Sequence, residues 1–293
     1  VDLTGPIIVG GMGGSGTRVV ADLLQRKRVF IGFAKNVALD NLMFTLLFKR
    51  TTWLSRQLAR ESEFKVELAT HEKLLLGKRL LSPTEYFFLA CTVWDWLWNS
   101  TLADGLDRGW AKRIIKQQLL RFGQKPDQGM WGWKEPNSHL LLPQILAAYP
   151  RSKYVHVVRN AIDMSLSGNR QQLENWKHFL LGKEADNVEN IESLMLKCWL
   201  AVNDRVANEQ KTVGKDRVLM LSYDELCANP QELIPILLDF LDIPYSQGDI
   251  EELMTAVDAP DTIGRSHGID YSVFDPNDLA RAKAYETPNL SST

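Results

Sequence analysis

Apolar residues along this chain follow two alternating patterns. Short β-branched or apolar runs, read as strands, lie at Pro6–Gly10, Val29–Phe33, Lys153–Arg159 and Arg217–Ser222, with Met130–Lys134 as a shorter one. Between them apolar residues recur every three or four positions, which predicts helices. These fall at Thr17–Lys27, Ala38–Arg60, Glu63–Lys78, Pro83–Asn99, Asp107–Phe122, Asn137–Tyr149, Glu189–Lys211, Gln231–Leu241 and Gln247–Val257. Ser82 stands as an N-cap before Pro83, Gly123 stops one helix and Pro150 another. Strands alternating with helices imply an α/β fold, a central parallel sheet with helices on both faces. Residues 34–129 carry no clear strand and read as a helical insertion over one edge of the ligand cleft. The tail from about residue 258 reads as irregular. No internal repeat or low-complexity linker divides the chain, so 1–293 reads as a single domain.

Composition narrows the classes. A net charge of −2 gives no support to a nucleic-acid or membrane surface. No apolar run approaches the ~18 residues of a membrane span, and the first one is too short for a signal peptide. Cys91, Cys198 and Cys227 are widely spaced and odd in number, so they make no metal pattern. They read as buried free thiols in a reducing compartment, the cytoplasm.

The chemistry concentrates in residues 5–25, GPIIVGGMGGSGTRVVADLLQ. A strand runs into five glycines within seven residues, Gly10 to Gly16, and then into a helix. Such a turn offers unpaired N–H groups and the positive end of a helix dipole to an anion. Glycine removes the side chains that would block its approach. Gly11 to Gly16 satisfies the dinucleotide pattern GxGxxG, but the acid that should follow the second strand is missing. Ala34, Lys35 and Asn36 stand there, and Asp40 falls inside the next helix pattern. Gly11 to Arg18 nearly matches a Walker A loop, yet Thr17 replaces its lysine and Arg18 its magnesium-binding hydroxyl. A third reading is a single phosphate bearing a sulfuryl group, met by backbone N–H groups, two hydroxyls and the Arg18 guanidinium. A tight turn with no ligand is the fourth, for which five glycines are more than needed.

Lys153–Ser167, KYVHVVRNAIDMSLS, supplies a second anion site. The strand ends on Arg159 and Ser167 follows eight residues later. Ligands of open α/β sheets bind beyond the carboxyl ends of strands, so Arg159 points to the rim that holds the glycine turn. A guanidinium and a hydroxyl hold phosphate by charge-assisted bonds; the alternative for Arg159 is pairing with a carboxylate on the rim. Asp163 reads as a local cap or ion-pair partner. Two anion sites imply a nucleotide with phosphates at both ends, 3′-phosphoadenosine-5′-phosphosulfate (PAPS), rather than ATP or NAD.

SGTR in a strand–turn–helix, RNAIDMSLS, and RVLMLSYDELCANPQELIPILLDFLDIP together resemble the PAPS-dependent sulfotransferases, and WGWKEPNSHLLLPQILAAYPRSKYVHVVRN is similar to a stretch of bacterial and tyrosylprotein members. The resemblance spans residues 5–30 and 131–245 and implies a P-loop-like fold of three layers. It implies that Gly13, Gly14, Ser15, Gly16, Thr17 and Arg18 hold the 5′-phosphosulfate. Arg159 and Ser167 would hold the 3′-phosphate, Tyr223 would stand at the family's strand-end tyrosine or simply pack, and Arg265 would close on the nucleotide or remain a loop arginine. Trp176 reads as a core residue or a purine stack. The activity implied is sulfuryl transfer from PAPS to a hydroxyl or amine of a small-molecule, carbohydrate or peptide acceptor, with PAP released and no metal. Residues 34–129 carry none of these motifs, so the resemblance does not place them, and they are expected to hold the acceptor.

Two departures bear on the chemistry. Gly14 stands where the family carries a lysine or arginine, and Ala161 replaces its usual proline. Arg18, Lys134 and Lys35 are the candidate replacement cations. Gly14 also leaves open a weakened PAP- or PAPS-binding protein, and the near-Walker turn a P-loop kinase. For the base, Asp40 ranks first, then His139 and Glu135; Glu135 is also expected to pair with Lys134, and His139 to face the cleft. His71 and Glu72 read as solvated, and His156 as packed in its strand. Trp53, Phe64, Tyr86, Phe87, Trp94, Trp96, Trp98, Trp131 and Trp133 read as an acceptor platform or a helical core.

Overall fold

The computed structural model describes residues 5–60, 62–78, 80–98, 108–121, 123–124 and 129–286. The helix ends expected at Asn99, Asp107 and Phe122 lie outside these residues. β1 (Ile7–Gly11), β2 (Gly132–Lys134), β3 (Lys153–Val158) and β4 (Val218–Ser222) form one parallel sheet in the order β2-β1-β3-β4. The α/β class predicted from the alternation is therefore observed.

α1 (Thr17–Arg26) follows β1. The insertion holds α2 (Leu42–Phe48), α3 (Thr51–Ala59), α4 (Lys65–Leu75), α5 (Pro83–Trp98) and α6 (Arg108–Leu119). A buried 3₁₀ turn, Pro136–Leu141, and α7 (Leu142–Ala148) follow β2. After β3 come α8 (Ala161–Ser165), α9 (Gln171–Leu181) and α10 (Ile191–Val213). After β4 come α11 (Tyr223–Ala228), α12 (Pro230–Phe240), α13 (Gln247–Met254) and α14 (Pro276–Glu286).

Alternation along the strands builds the layers, because successive side chains point to opposite faces. Ile7, Val9, Val155 and Val157 pack with α1, α12 and α13. Ile8 and Tyr154 pack on the other face with α2, α4, α5 and α7. The insertion thus buries its apolar stripes against the β1–β2 side of the sheet. No helix among the described residues is long and apolar enough to cross a membrane.

Several expectations are corrected. Val29–Phe33 is not a strand: only Phe30 bridges to Trp131, and Gly32 at φ +98° turns the chain away. The expected Ala38–Arg60 helix is two helices, α2 and α3. Asn41 caps the first by accepting from Phe44 N at 2.8 Å, and the break falls at Lys49–Arg50. The tail is not wholly irregular, since α14 buries Ala282 beside Trp199 of α10. Three further helices lie outside the predicted set: α8 and α11 are too short to show a period, and α9 buries only Leu173 and Trp176. The thiols are free, but only Cys198 is buried; Cys91 is exposed and Cys227 half-buried. The aromatic cluster divides: Phe64, Trp96, Trp131 and Trp133 are core, whereas Tyr86, Phe87, Trp94 and Trp98 are exposed.

Candidate functional site

β1 delivers Gly11 to the carboxyl edge of the sheet, and the chain turns through Met12–Gly16 into α1. Gly14 and Gly16 hold φ of +96° and +92°, a region strained for any side chain. At Gly16 there is also no room, because a Cβ would lie 2.2 Å from the Tyr223 ring. Tyr223 therefore lies against the backbone of the turn. At Gly14 the nearest atoms to such a Cβ are Met164 Cε at 3.9 Å and Ser167 Oγ at 4.0 Å, so this glycine opens toward Ser167.

Arg159 follows β3 directly and is 7% exposed. Its Nη1 donates to Gly14 O at 3.1 Å and its Nη2 to Thr262 Oγ1 at 2.8 Å, while Nε is buried without a partner. Ser15 Oγ is likewise buried and unpartnered. Gly14, Ser15, Gly16, Arg159, Ser167 and Tyr223 thus meet on one rim, as the strand ends predict. Thr17 is buried in the first turn of α1.

The segment around residues 260–268 covers the far side of Arg159. Asp163, buried under it, accepts from Gly264 N at 2.7 Å and Ser266 N at 2.8 Å. Asp163 therefore anchors this segment rather than capping α8, which Asn160 caps by accepting from Ile162 N and Asp163 N. The 240 Å³ cavity on that side is lined by Asp163, Asp224 and Glu225, carboxylates that disfavour a phosphate. The other side of Arg159 faces Gly14. A separate cleft of about 510 Å³ runs between Arg18, Tyr223, Thr255 and Asp258. Arg18 is exposed on that cleft, and Arg265 is exposed in the covering segment.

β2 places Lys134 and Glu135 at the same edge of the sheet, and the two do not pair. Neighbours in extended chain point apart. Lys134 is buried, donates to Ala38 O at 2.9 Å and is ion-paired with Asp40, which also accepts from Asn36 Nδ2 at 2.8 Å. Glu135 Oε1 accepts from Asn137 N at 3.3 Å and Nδ2 at 2.6 Å, and Oε2 accepts from Thr45 Oγ1 at 3.0 Å. Burial, and next the Asp40 charge, hold the Glu135 carboxyl above the usual range, with Lys49, Asn137 and Lys134 opposing. Glu135 and Asp40 line a cavity of about 460 Å³ with Lys35, Lys49, Trp110 and Arg113.

Lys49 was missed in the sequence, where it sits in no motif. Its Nζ donates to Gln171 Oε1 at 3.0 Å, and the adjacent Gln172 Oε1 accepts from Gly13 N at 3.0 Å. Gln172 Nε2 and Trp176 Nε1 both donate to Asn137 Oδ1 at 3.0 Å. α9 therefore joins the glycine turn, Lys49 and the partner of Glu135 in one network, with Trp176 as the core residue it was expected to be.

The histidines lie elsewhere. His139 does not face the cleft: it is buried with both ring nitrogens unpartnered, because its 3₁₀ turn is wholly buried, and burial holds its pKa well below the ordinary value. His71 is not solvated. It is buried with Nε2 3.2 Å from Asn41 Oδ1, and burial lowers its pKa to about 3. Glu72 is half-buried and pairs with Lys78 at 2.9 Å. His156 packs in the core, as its strand position predicts.

Three solved structures similar to this chain illustrate the likeness. The sulfotransferase domain of the Synechococcus PCC 7002 olefin synthase is 16% identical, with 100% of this chain and 92% of that one covered and a TM-score of 0.44. Sulfotransferase STF9 from Mycobacterium avium is 17% identical, with 92% and 70% covered and a TM-score of 0.46. The sulfotransferase domain from the curacin biosynthetic pathway is 17% identical, with 100% and 94% covered and a TM-score of 0.46. No curated protein matches the sequence significantly. The model of the sulfotransferase family matches residues 6–247, most of the chain from β1 to the start of α13, and the protein belongs to that family.

Proposed function

We propose that the protein transfers a sulfuryl group from PAPS to a hydroxyl of its acceptor and releases PAP. Arg159 carries the donor half of this reading. It is 7% exposed, makes no ion pair among the described residues and leaves Nε unpartnered beside a glycine turn. A buried guanidinium with no carboxylate hydrogen-bonded to it is costly unless an anion completes it. In this reading Arg159 and Ser167 take the 3′-phosphate, the turn from Gly13 to Arg18 takes the 5′-phosphosulfate, and the nucleoside lies toward Tyr223.

Glu135 acts as the base. The acceptor hydroxyl gives its proton to Glu135, its oxygen bonds to sulfur, and the bond from sulfur to the 5′-phosphate oxygen breaks with its electron pair. Burial raises the Glu135 pKa and with it the affinity of the carboxylate for a proton. Asp40 has its oxygens committed to Lys134 and Asn36. Lys49, linked to the turn through Gln171 and Gln172, supplies the charge that Gly14 lacks as the leaving oxygen becomes negative.

Gly14 favours a second reading, in which the protein binds PAP or PAPS without turnover. Labelled PAPS incubated with a panel of alcohols separates the two: transfer of label is expected, whereas binding without transfer or hydrolysis selects the binder. PAP, but not ATP with Mg²⁺, should raise the melting temperature. Arg159→Ala should weaken PAP binding about 100-fold, the loss of charge-assisted bonds to one phosphate. Unchanged affinity in calorimetry would remove Arg159 from the site.

A further inference from the structure

Two cavities meet at Lys35. One is the 460 Å³ cavity of Glu135; the other, about 400 Å³, is lined by Phe33, Ala34, Lys35, Gln117, Leu120 and Arg121. They share Lys35 and Gln117. α6 walls the first cavity with Trp110, Arg113, Ile114 and Gln117, a three- and four-residue spacing that forms one helical face.

The charge along this groove is net positive. Of the two carboxylates in the first cavity, Asp40 is ion-paired with Lys134, and Glu135 stands against Lys49, whose charge opposes the rise in its pKa. Lys35 and Arg113 are left over, with no ion pair or side-chain hydrogen bond among the described residues. Lys35 is half-buried, and burial depresses its pKa with no carboxylate to oppose the shift. α6 itself, RGWAKRIIKQQL, carries Arg108, Lys112, Arg113 and Lys116 and no acid, so the wall adds positive potential. Keeping an ammonium partly out of water without a counter-ion costs free energy that an anionic occupant offsets.

We propose that the acceptor is a small hydroxyl-bearing acid whose carboxylate, phosphate or sulfate lies between Lys35 and Arg113 while its hydroxyl meets Glu135. This rests on the sulfotransferase reading above and adds the acceptor's charge to it. The cavity volume suits a small molecule, and Trp110 offers its ring to the remainder of that molecule.

Matched pairs test the proposal: 4-hydroxyphenylacetate against its amide, and glucuronate and glucose 6-phosphate against glucose. At least one acid should exceed its neutral partner in kcat/KM by at least about tenfold, the worth of a charge-assisted bond. Lys35→Gln and Arg113→Gln should each cut that preference about tenfold through KM, with PAP affinity and melting temperature unchanged; Lys35→Arg should retain it. Calorimetric titration of the same acids, and of inorganic phosphate and sulfate, reads the site without turnover. If the donor reading fails, PAP does not bind and no label moves, yet an acid still binds and weakens in Lys35→Gln. If this inference fails, PAP binds but neutral partners serve as well as every acid, or none of the acids binds, or Lys35→Gln leaves acid binding unchanged. Binding of inorganic phosphate or sulfate alone would overturn it as well.

Discussion

Replacing Glu135 by glutamine removes a charge and almost no contact. Oε1 accepts from Asn137 N at 3.3 Å and Nδ2 at 2.6 Å, and a glutamine oxygen keeps both. The new amide donates to Thr45 Oγ1, whose proton turns to Asn41 O, 3.3 Å away. No buried donor or acceptor is orphaned, so the variant folds. The loss falls on the chemistry: removal of a general base lowers kcat ~10²- to 10⁴-fold, about 3–5 kcal/mol of barrier. PAP affinity should stay within about threefold of wild type. Stability moves the opposite way. A raised folded pKa means that the fold holds the Glu135 proton more tightly than the unfolded chain does. The associated stability is complete below the ordinary value of 4.5 and is lost as pH rises through the folded value. Glutamine never ionises, so Glu135→Gln should melt higher than wild type at neutral pH, and the difference should vanish below the ordinary carboxylate range. Single-turnover transfer from labelled PAPS and melting curves at both pH values make the test. A kcat near wild type, or a variant that loses activity and stability together at neutral pH, refutes the assignment.

Lys49→Gln should lower kcat about 100-fold with PAP affinity little changed. Because Lys49 lowers the Glu135 pKa, the acid limb of the pH–rate profile should also move to higher pH. Gly16→Ala, with its Cβ 2.2 Å from the Tyr223 ring and φ at +92°, should destabilise by about 2–4 kcal/mol in denaturant titrations. Gly14→Ala, at φ +96° with nothing nearer than 3.9 Å, should cost only about 1–2 kcal/mol. His71, His139 and His156 are buried and neutral, with pKa values lowered to about 3, well below the ordinary 6.5, and to about 4 respectively. Their contribution is complete above 6.5 and is lost as pH falls below it, by up to about 1.4 kcal/mol per histidine per pH unit, measurable by chemical denaturation across pH 7 to 4.

The strand–turn–helix at the glycine run and the position of Arg159 were legible because backbone geometry dictates them locally. A run of glycines ending a strand means positive φ and close approach, and an arginine ending a neighbouring strand lies on the same rim. The cavity of Glu135 was not legible in this way. Whether Lys134 pairs with Glu135 or Asp40 depends on which face each side chain takes and on the turn that brings Asp40 across. His71 looked solvated because Glu72 and Lys73 flank it, yet its ring falls on the helix face that α4 buries against Phe44 and Trp133. The broken Ala38–Arg60 helix was hidden for a similar reason. Its apolar period continues through Lys49–Arg50, and only the Asn41 cap and tertiary packing set the ends of α2.

The absent cation at Gly14 shows how this site departs from a motif without losing the arrangement the proposed reaction needs. Sulfuryl transfer requires fixed positive charge within reach of the leaving oxygen, but it does not require that charge to come from the donor turn. Consecutive residues on a helix point about 100° apart. Gln171 therefore reaches the end of α2 and holds Lys49, while Gln172 reaches Gly13. The spacing between Lys49 and the glycine turn is set by one helix, and Trp176, 1% exposed and bonded to Asn137, fixes how that helix sits. Asn137 in turn donates to Glu135. Glu135, Lys49 and the glycine turn, the proposed base, cation and donor site, thus share a single frame in α9, and no short stretch of sequence records it, because its members lie at residues 13, 49, 135, 137 and 171–176. In the proposed reading, a family motif at residues 15–18 marks where the nucleotide goes. In the proposed reaction, the capacity to turn that nucleotide over depends on a helix that the motif does not contain.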